Sequence, residues 1–371
     1  MVRIQGVRVR FSSGLESLNA FARNHFQDCE QQTNTRATAP PPDRQDWQAE
    51  IEAHLEWIEG APPKAEYAEV SSGKTRLDRD IEIGYNEMAW SRIDDFSDLR
   101  LRFSLEENRL RLQGRHFFSL SRSPLRDQIK KAWYWRRLPA LREKRFSTLL
   151  YYMVYYPAFW WLERQGLFPL HAAAVDLAGV GVVFCGLPGC GKSTLSLALL
   201  SLPEARLLSD NIIFFDRKKV FSCPEPVLVD DRSLELIGKA RSLLYPLGRR
   251  HVFGRAWCQV VPDRLSDHTV PRLFFFVGLG KHSSLRPLSH KEAYKRSSAA
   301  NWIAQEMRRY VVYRSVLGLL SADGFHLANR EESVVRALFG QGQCYELTVG
   351  SGAGLQKVPD QVCTLLASVR S

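Results

Sequence analysis

Residues 182–202, VVFCGLPGCGKSTLSLALLSL, run from a β-branched and aromatic stretch through a glycine-rich turn into a strong helix former. The centre of this stretch, Gly186-Leu187-Pro188-Gly189-Cys190-Gly191-Lys192-Ser193, satisfies G-x-x-x-x-G-K-[ST] in full, and Thr194 follows. Strand, loop and helix in that order form the context the motif needs. Glycines let backbone N–H groups converge on phosphate oxygens without Cβ obstruction, and the new helix adds its positive end. The motif therefore calls for ATP with Mg²⁺, gripped by Gly186, Gly189, Cys190, Gly191, Lys192, Ser193 and Thr194. Lys192 would reach the β- and γ-phosphates, and the Ser193 hydroxyl would face the metal.

Phosphoryl transfer also needs a carboxylate to hold the metal or orient the nucleophile. Two candidates follow within 25 residues of the loop. Asp216 closes Ile212-Ile213-Phe214-Phe215, but Arg217-Lys218-Lys219 follows at once, which is the signature of a hairpin turn. Asp210 ends Arg206-Leu207-Leu208-Ser209, next in sequence to the loop helix, and is the better candidate. His171 opens His171-Ala172-Ala173-Ala174-Val175 one strand before the loop. Taken alone, it reads more readily as a packed core histidine than as a catalytic one.

Around this centre the pattern is that of an α/β sheet covered by helices. Val175–Cys185 reads as a hairpin or bent strand pair around Ala178-Gly179. Leu195–Leu202 reads as a helix, and Arg206–Leu208, Ile212–Phe215, Leu273–Val277 and Tyr345–Val349 as strands. Ser289–Val312 reads as mostly helix, and Pro359–Val369 as a closing helix.

The stretch LFPLHAAAVDLAGVGVVFCGLPGCGKSTLSLALL, with ARLLSDNIIFF after it, resembles HPr kinase/phosphorylase and the wider HPr kinase-related P-loop kinases of bacteria. The resemblance spans roughly residues 165–371 and weakens through LSHKEAYKR and CYELTVG. It implies a P-loop kinase domain with a helix-covered mixed sheet over 165–371, after a smaller α+β domain over 1–164. It further implies Asp210 as the base toward a seryl hydroxyl, His171 beside it, and Mg²⁺ held by Ser193, Asp210 and the next residue. That residue is Asn211, where the family pattern is SDD, so the metal loses one charged ligand. The sequence departs from the bifunctional enzymes in lacking a recognisable glutamate- and arginine-containing signature downstream, which argues against dephosphorylation and against HPr as substrate. The resemblance also implies a homo-oligomer.

The first 164 residues show other signals. Gln31–Asp46, with Pro40-Pro41-Pro42, reads as a linker. Trp47, Ile51, Leu55 and Ile58 fall at helical spacing, which predicts a short amphipathic helix over Asp46–Ile58. LRLRFSL at 99–105 and RLRL at 109–112 predict a hairpin presenting Arg100, Arg102, Arg109 and Arg111 on one outer face. Phe146–Leu162 is a 17-residue run without a charge, but it contains Pro157 and is crowded with Tyr and Trp. A buried helix is the expectation there, ahead of membrane contact.

The chain has 371 residues, 45% of them apolar, enough for two cores. Its seven cysteines are scattered without a CxxC pair, which points to a reducing cytoplasm and away from disulfides or zinc. No secretory pattern opens the chain. The net charge of +11 is uneven: residues 1–99 hold 11 basic and 18 acidic side chains (net −7), and residues 100–145 hold 14 and 4 (net +10). The region 100–145 is a place for an acidic partner to dock, with nucleic acid and membrane not expected.

Three functions stay open at this stage. The first is an ATP-dependent kinase, a phosphotransferase to a hydroxyl of a protein, peptide or small molecule, using Asp210, His171 and Lys192. The second is a catalytically weak nucleotide-binding regulatory module. The third is a nucleic-acid- or membrane-associated NTPase.

Overall fold

A computed structural model of the chain describes residues 1–35, 50–63, 75–78, 80–91, 93, 98–250, 254–321, 327–350 and 358–370. Two compact units emerge, Met1–Trp161 with Arg314–Gly324, and Leu162–Tyr313 with Phe325–Ser371.

The elements of the first part of the chain are β1 (Val2–Ile4), β2 (Val7–Ser13), α1 (Glu16–Thr35), β3 (Glu50–Glu59), β4 (Thr75–Asp78), β5 (Ile81–Ile83), β6 (Glu87–Trp90), β7 (Leu99–Glu106) and β8 (Arg109–Phe118). Helices α2 (Pro124–Trp133), α3 (Leu138–Leu150) and α4 (Tyr156–Arg164) follow, with a π-helical turn at Tyr151–Tyr155 between the last two. One eight-stranded sheet results, in the order β1-β2-β3-β8-β7-β6-β5-β4.

The helix expected over 46–58 is instead the central strand β3, paired in parallel with β2 on one side and β8 on the other. Ile51, Leu55 and Ile58 satisfy helical spacing, but Ile51, Ala53 and Leu55 also alternate, and it is these three that are buried. Pairing on both flanks decides the case, since each backbone group of a central strand needs a ladder partner. The other face of β3 carries Glu50, Glu52 and Glu56, which pair with Arg109 (3.0 Å), Arg10 (3.2 Å) and Arg115 (2.8 Å). The β7–β8 hairpin is present, with Leu105 opposite Leu110. Its arginines do not form a free basic face: Arg102 pairs with Glu87, Arg111 with Glu106, and Arg100 is buried against the Ser91 carbonyl. The linker expected over 31–46 is corrected at its start, because α1 continues through Thr35, and the rest of it lies outside the described residues.

Phe146–Leu162 is helical and largely buried. Pro157 has no N–H, and one residue earlier Tyr156 N–H bonds to the Tyr151 carbonyl, the wider i→i−5 pattern. Among the described residues, no helix is long and apolar enough to cross a membrane.

The second part contains β9 (Phe168–Leu170), β10 (Ala172–Leu177), β11 (Val180–Cys185), α5 (Lys192–Leu199), β12 (Ala205–Ser209), β13 (Ile213–Phe215), β14 (Val220–Phe221), β15 (Val227–Val229), α6 (Asp231–Leu236), β16 (Leu244–Arg250) and β17 (Ala256–Val260). It continues with β18 (His268–Leu279), β19 (Ser284–Leu288), α7 (His290–Ile303), α8 (Gln305–Gly318), α9 (Leu327–Phe339), β20 (Gln343–Val349) and α10 (Val358–Arg370). The helix expected over 289–312 is thus two, broken at Ala304, which takes an extended backbone, and the first starts from a Ser289–Glu292 capping box.

The main sheet is mixed. β11, β18 and β20 are parallel neighbours, β10 and β12 extend one flank, and β19 closes the other. β14, β13 and β9 continue from the start of β18, and β15, β17 and β16 form a small separate sheet. Alternate residues of β10 and β11 enter two different cores. Ala173, Val175, Val182 and Phe184 pack with Leu195 and Leu199 of α5, whereas Ala172, Ala174, Val183 and Cys185 pack with Val335 and Leu338 of α9. Burial on both faces explains why these strands read as unbroken apolar runs.

The β10–β11 hairpin turns through Ala178 (φ +52°) and Gly179 (φ +84°), two consecutive left-handed residues. Alanine carries a Cβ penalty there that glycine does not. Replacing Ala178 with Gly is expected to raise the stability of this unit by about 0.5–1 kcal/mol in denaturant titration. A loss of stability would contradict the turn geometry.

Candidate functional site

The register of the sheet assembles the site at one edge. Ala172 pairs with Cys185 and Ala174 with Ser209, so the residues just past these pairs, His171, Gly186 and Asp210, emerge together. The loop Gly186–Gly191 leaves the C-terminal end of β11 and delivers Lys192 into the first turn of α5. Gly186 (φ +147°) could not be another residue: a Cβ would lie 2.7 Å from the Val277 carbonyl oxygen and 2.8 Å from Cys190 Sγ. Gly191 (φ +98°) caps α5 in the left-handed region. Leu187, Pro188 and Gly189 form the exposed rim, whereas Cys190 is buried beneath it.

Lys192 is buried, with its ammonium donating to Gly186 O, Leu187 O and His171 Nε2, each at 3.0 Å. Burial pulls its pKa below the usual lysine value, against the opposing pull of Cys190 and Asp210. His171 sits in the bend between β9 and β10, its backbone N–H bonded to Asn301 Oδ1 at 2.9 Å. Burial, reinforced by the Lys192 charge, pushes the imidazole down to about 3, so Nε2 is free to accept from the ammonium. The proton then sits on Nδ1, which faces the Asn211 backbone without closing a full hydrogen bond.

Asp210 is buried, and burial raises its carboxyl to about 6, opposed by a hydrogen bond from Ser193 and by the charges of Lys192 and Arg255. Its Oδ1 has no hydrogen-bond partner. Asn211 donates to Glu225 Oε2 at 3.2 Å, which brings a carboxylate to the position where the chain lacks one. Ser209 anchors the bend from beneath by donating to the Cys223 carbonyl at 2.9 Å. Thr194 Oγ1 meets Ser233 Oγ at 3.1 Å.

Among the residues expected from the sequence, His171, Lys192, Ser193 and Asp210 therefore meet in one cluster, with Asn211 at its margin. Asp216 is a turn residue, its Oδ1 accepting from the N–H groups of Lys218 and Lys219, both at 2.7 Å. Asn301, Glu225 and Arg255 carried no sequence signal. Asn301 lies inside an ordinary helical run, and Glu225 stands between two prolines with no motif around it.

The chain bears a distant likeness to a solved structure. That structure is the HPr(Ser) kinase/phosphatase from Coxiella burnetii, matched over 55% of this chain and 99% of that one at 13% identity and a TM-score of 0.27. No family model matches the chain, and no curated protein matches it.

A divalent cation is implied by the motif. The hydroxyl of Ser193 and the Asp210 carboxyl oxygen that it bonds make a hard, all-oxygen pair, which suits Mg²⁺ completed by water and phosphate oxygens, while Asp210 Oδ1 stays open. No group of three or more His, Cys, Asp or Glu that could hold a metal occurs among the described residues.

The raised pKa of Asp210 has a stability consequence. Between its ordinary value of 3.8 and about 6 the folded protein keeps a proton that the unfolded chain releases, so its contribution to stability falls as pH rises through that window. Replacing Asp210 with Asn is expected to stabilise the ligand-free protein at neutral pH by on the order of 2 kcal/mol, with little effect at pH 4. Urea titrations at both pH values test this, and no gain at neutral pH would contradict the buried, charged carboxylate.

Proposed function

We propose that the chain is an ATP-dependent kinase that transfers the γ-phosphoryl group to a hydroxyl. One observation carries the reading: the buried Asp210 carboxyl touches Ser193 at the foot of the glycine-rich loop while keeping an oxygen unpartnered. Most buried polar atoms are hydrogen-bonded, and an open oxygen beside the loop leaves a place for an incoming hydroxyl. A carboxylate with a pKa of about 6 is suited to take a proton near neutrality.

In this reading the P-loop amides hold the β- and γ-phosphates, and Lys192 leaves the Gly186 and Leu187 carbonyls to neutralise the charge that develops on them. His171 is a positioning residue, holding the lysine in the loop until nucleotide arrives. Asp210 removes the proton of the acceptor hydroxyl as its oxygen attacks the γ-phosphorus. The bond from that phosphorus to the β,γ-bridging oxygen breaks, and ADP leaves. Ser193 and Asp210 would hold a Mg²⁺ ion that arrives with the nucleotide, and that ion would supply positive charge against the phosphates. Acceptor classes consistent with the site are a serine of a protein or peptide and a small alcohol.

A second reading, a nucleotide-binding regulatory module, is favoured by one feature, the uncharged Asn211. The two are separated by incubating the protein with γ-labelled ATP, Mg²⁺ and a panel of seryl peptides and polyols. The kinase reading expects an acid-stable phosphate ester, lost in Lys192→Met together with nucleotide binding. Asp210→Asn is expected to keep nucleotide binding and lower transfer by about 10²–10⁴-fold. Binding without transfer in the wild type would leave the regulatory module, and no binding of Mg-ATP would end both.

A further inference from the structure

Helix α2 is built inside out. Asp127 is 5% exposed, and it pairs with Lys131 (3.0 Å), which also reaches Glu59 (2.7 Å) and the Phe118 carbonyl (3.1 Å). Asp127 also accepts the backbone N–H groups of Leu120 and Ser121. The polar face of this helix is therefore the one that docks it. The opposite face holds Leu125, Ile129 and Trp133, spaced four residues apart and 69%, 58% and 81% exposed. The chain then turns through Tyr134 and Trp135, 40% and 64% exposed.

A soluble helix normally buries this stripe, and leaving three such side chains in water forgoes the stabilisation that their burial would bring. The cations flank the stripe instead of covering it. Arg126 and Lys130 lie on α2, Arg136 and Arg137 follow it, and Arg136 stacks over the Trp135 ring at 5.1 Å. None of these four has a carboxylate partner among the described residues, whereas the arginines of β7 and β8 are largely engaged by acids or buried. Much of the positive excess of residues 100–145 that is left unneutralised therefore surrounds one exposed apolar stripe.

We propose that α2 and the turn after it form a membrane-interface anchor that seats on an anionic lipid surface. Charge and shape select this occupant over the others. A second copy of the same face would bring two sets of unpaired cations together. A peptide or protein helix needs a groove, and the stripe is a single convex ridge. A lipid interface takes a ridge, places Trp and Tyr rings at headgroup level, and supplies diffuse negative charge to the flanking Arg and Lys. The sequence offered membrane association only through the charge of residues 100–145, because helical position alone does not show that the charged side of α2 faces inward. The binding is peripheral and independent of the nucleotide site.

The test is co-sedimentation of the full chain with vesicles of phosphatidylcholine alone and of phosphatidylcholine mixed with phosphatidylglycerol. Binding is expected to the mixed vesicles, weakening with salt, and to be much lower on phosphatidylcholine. Replacing Leu125, Ile129 and Trp133 together by Ser should abolish it without lowering the melting temperature, since all three are exposed. Replacing Arg126, Arg136 and Arg137 by Gln should weaken partitioning by about 100-fold. The proposal is overturned by absence of binding to mixed vesicles, by equal binding to both vesicle types, or by binding that both triple variants retain. A concentration-dependent dimer that the Ser variant dissolves would also overturn it, assigning the face to a second copy.

Discussion

An ammonium buried among neutral acceptors is the constraint on which the second unit is arranged. Lys192 has three partners, two loop carbonyls and a neutral imidazole, and none of them carries a full charge. Such a group is tolerable only where its hydrogen bonds are complete, and the neighbouring carboxylate of Asp210 is raised by the same burial. The two opposite charges lie close, each lowering the other's cost. A polyanion entering the loop would satisfy both needs, by giving the lysine a charged partner and by bringing a cation to the aspartate.

The sheet makes this arrangement possible. A parallel pair puts the ends of β11 and β18 at one edge, and β10, running the other way, returns its beginning to the same edge. Gly186 then passes against the Val277 carbonyl with no room for a side chain. The loop is held on a rigid strand on one side and on a buried helix on the other, which is what fixes functional groups within hydrogen-bond tolerance.

Legibility in the sequence followed the physics of each region. The β11–loop–α5 stretch was readable because glycine positions, a lysine and a helix former constrain one another within a dozen residues. The hairpin at Ala178-Gly179 and the strand at β18 were readable for similar local reasons. Central strand β3 was not, since Ile51 and Leu55 fit both a helical and an alternating period and only pairing with β2 and β8 chooses between them. The cluster around Asp210 was partly readable. His171 and Asp210 could be nominated, but Asn301, 130 residues from His171, and Glu225 enter through tertiary folding alone. The charge of residues 100–145 was countable, yet its meaning depended on which arginines face Glu50, Glu52, Glu56 and Glu87 and which face water.

The most direct test of the account is whether nucleotide takes Lys192 away from His171. With the histidine rings labelled by nitrogen-15, titration of Mg-ATP should produce a saturable shift of His171 Nε2 as the ammonium leaves it for phosphate, and Lys192→Met should show no such change. Tight nucleotide binding with the His171 resonance unmoved, or no nucleotide binding at all, would contradict it.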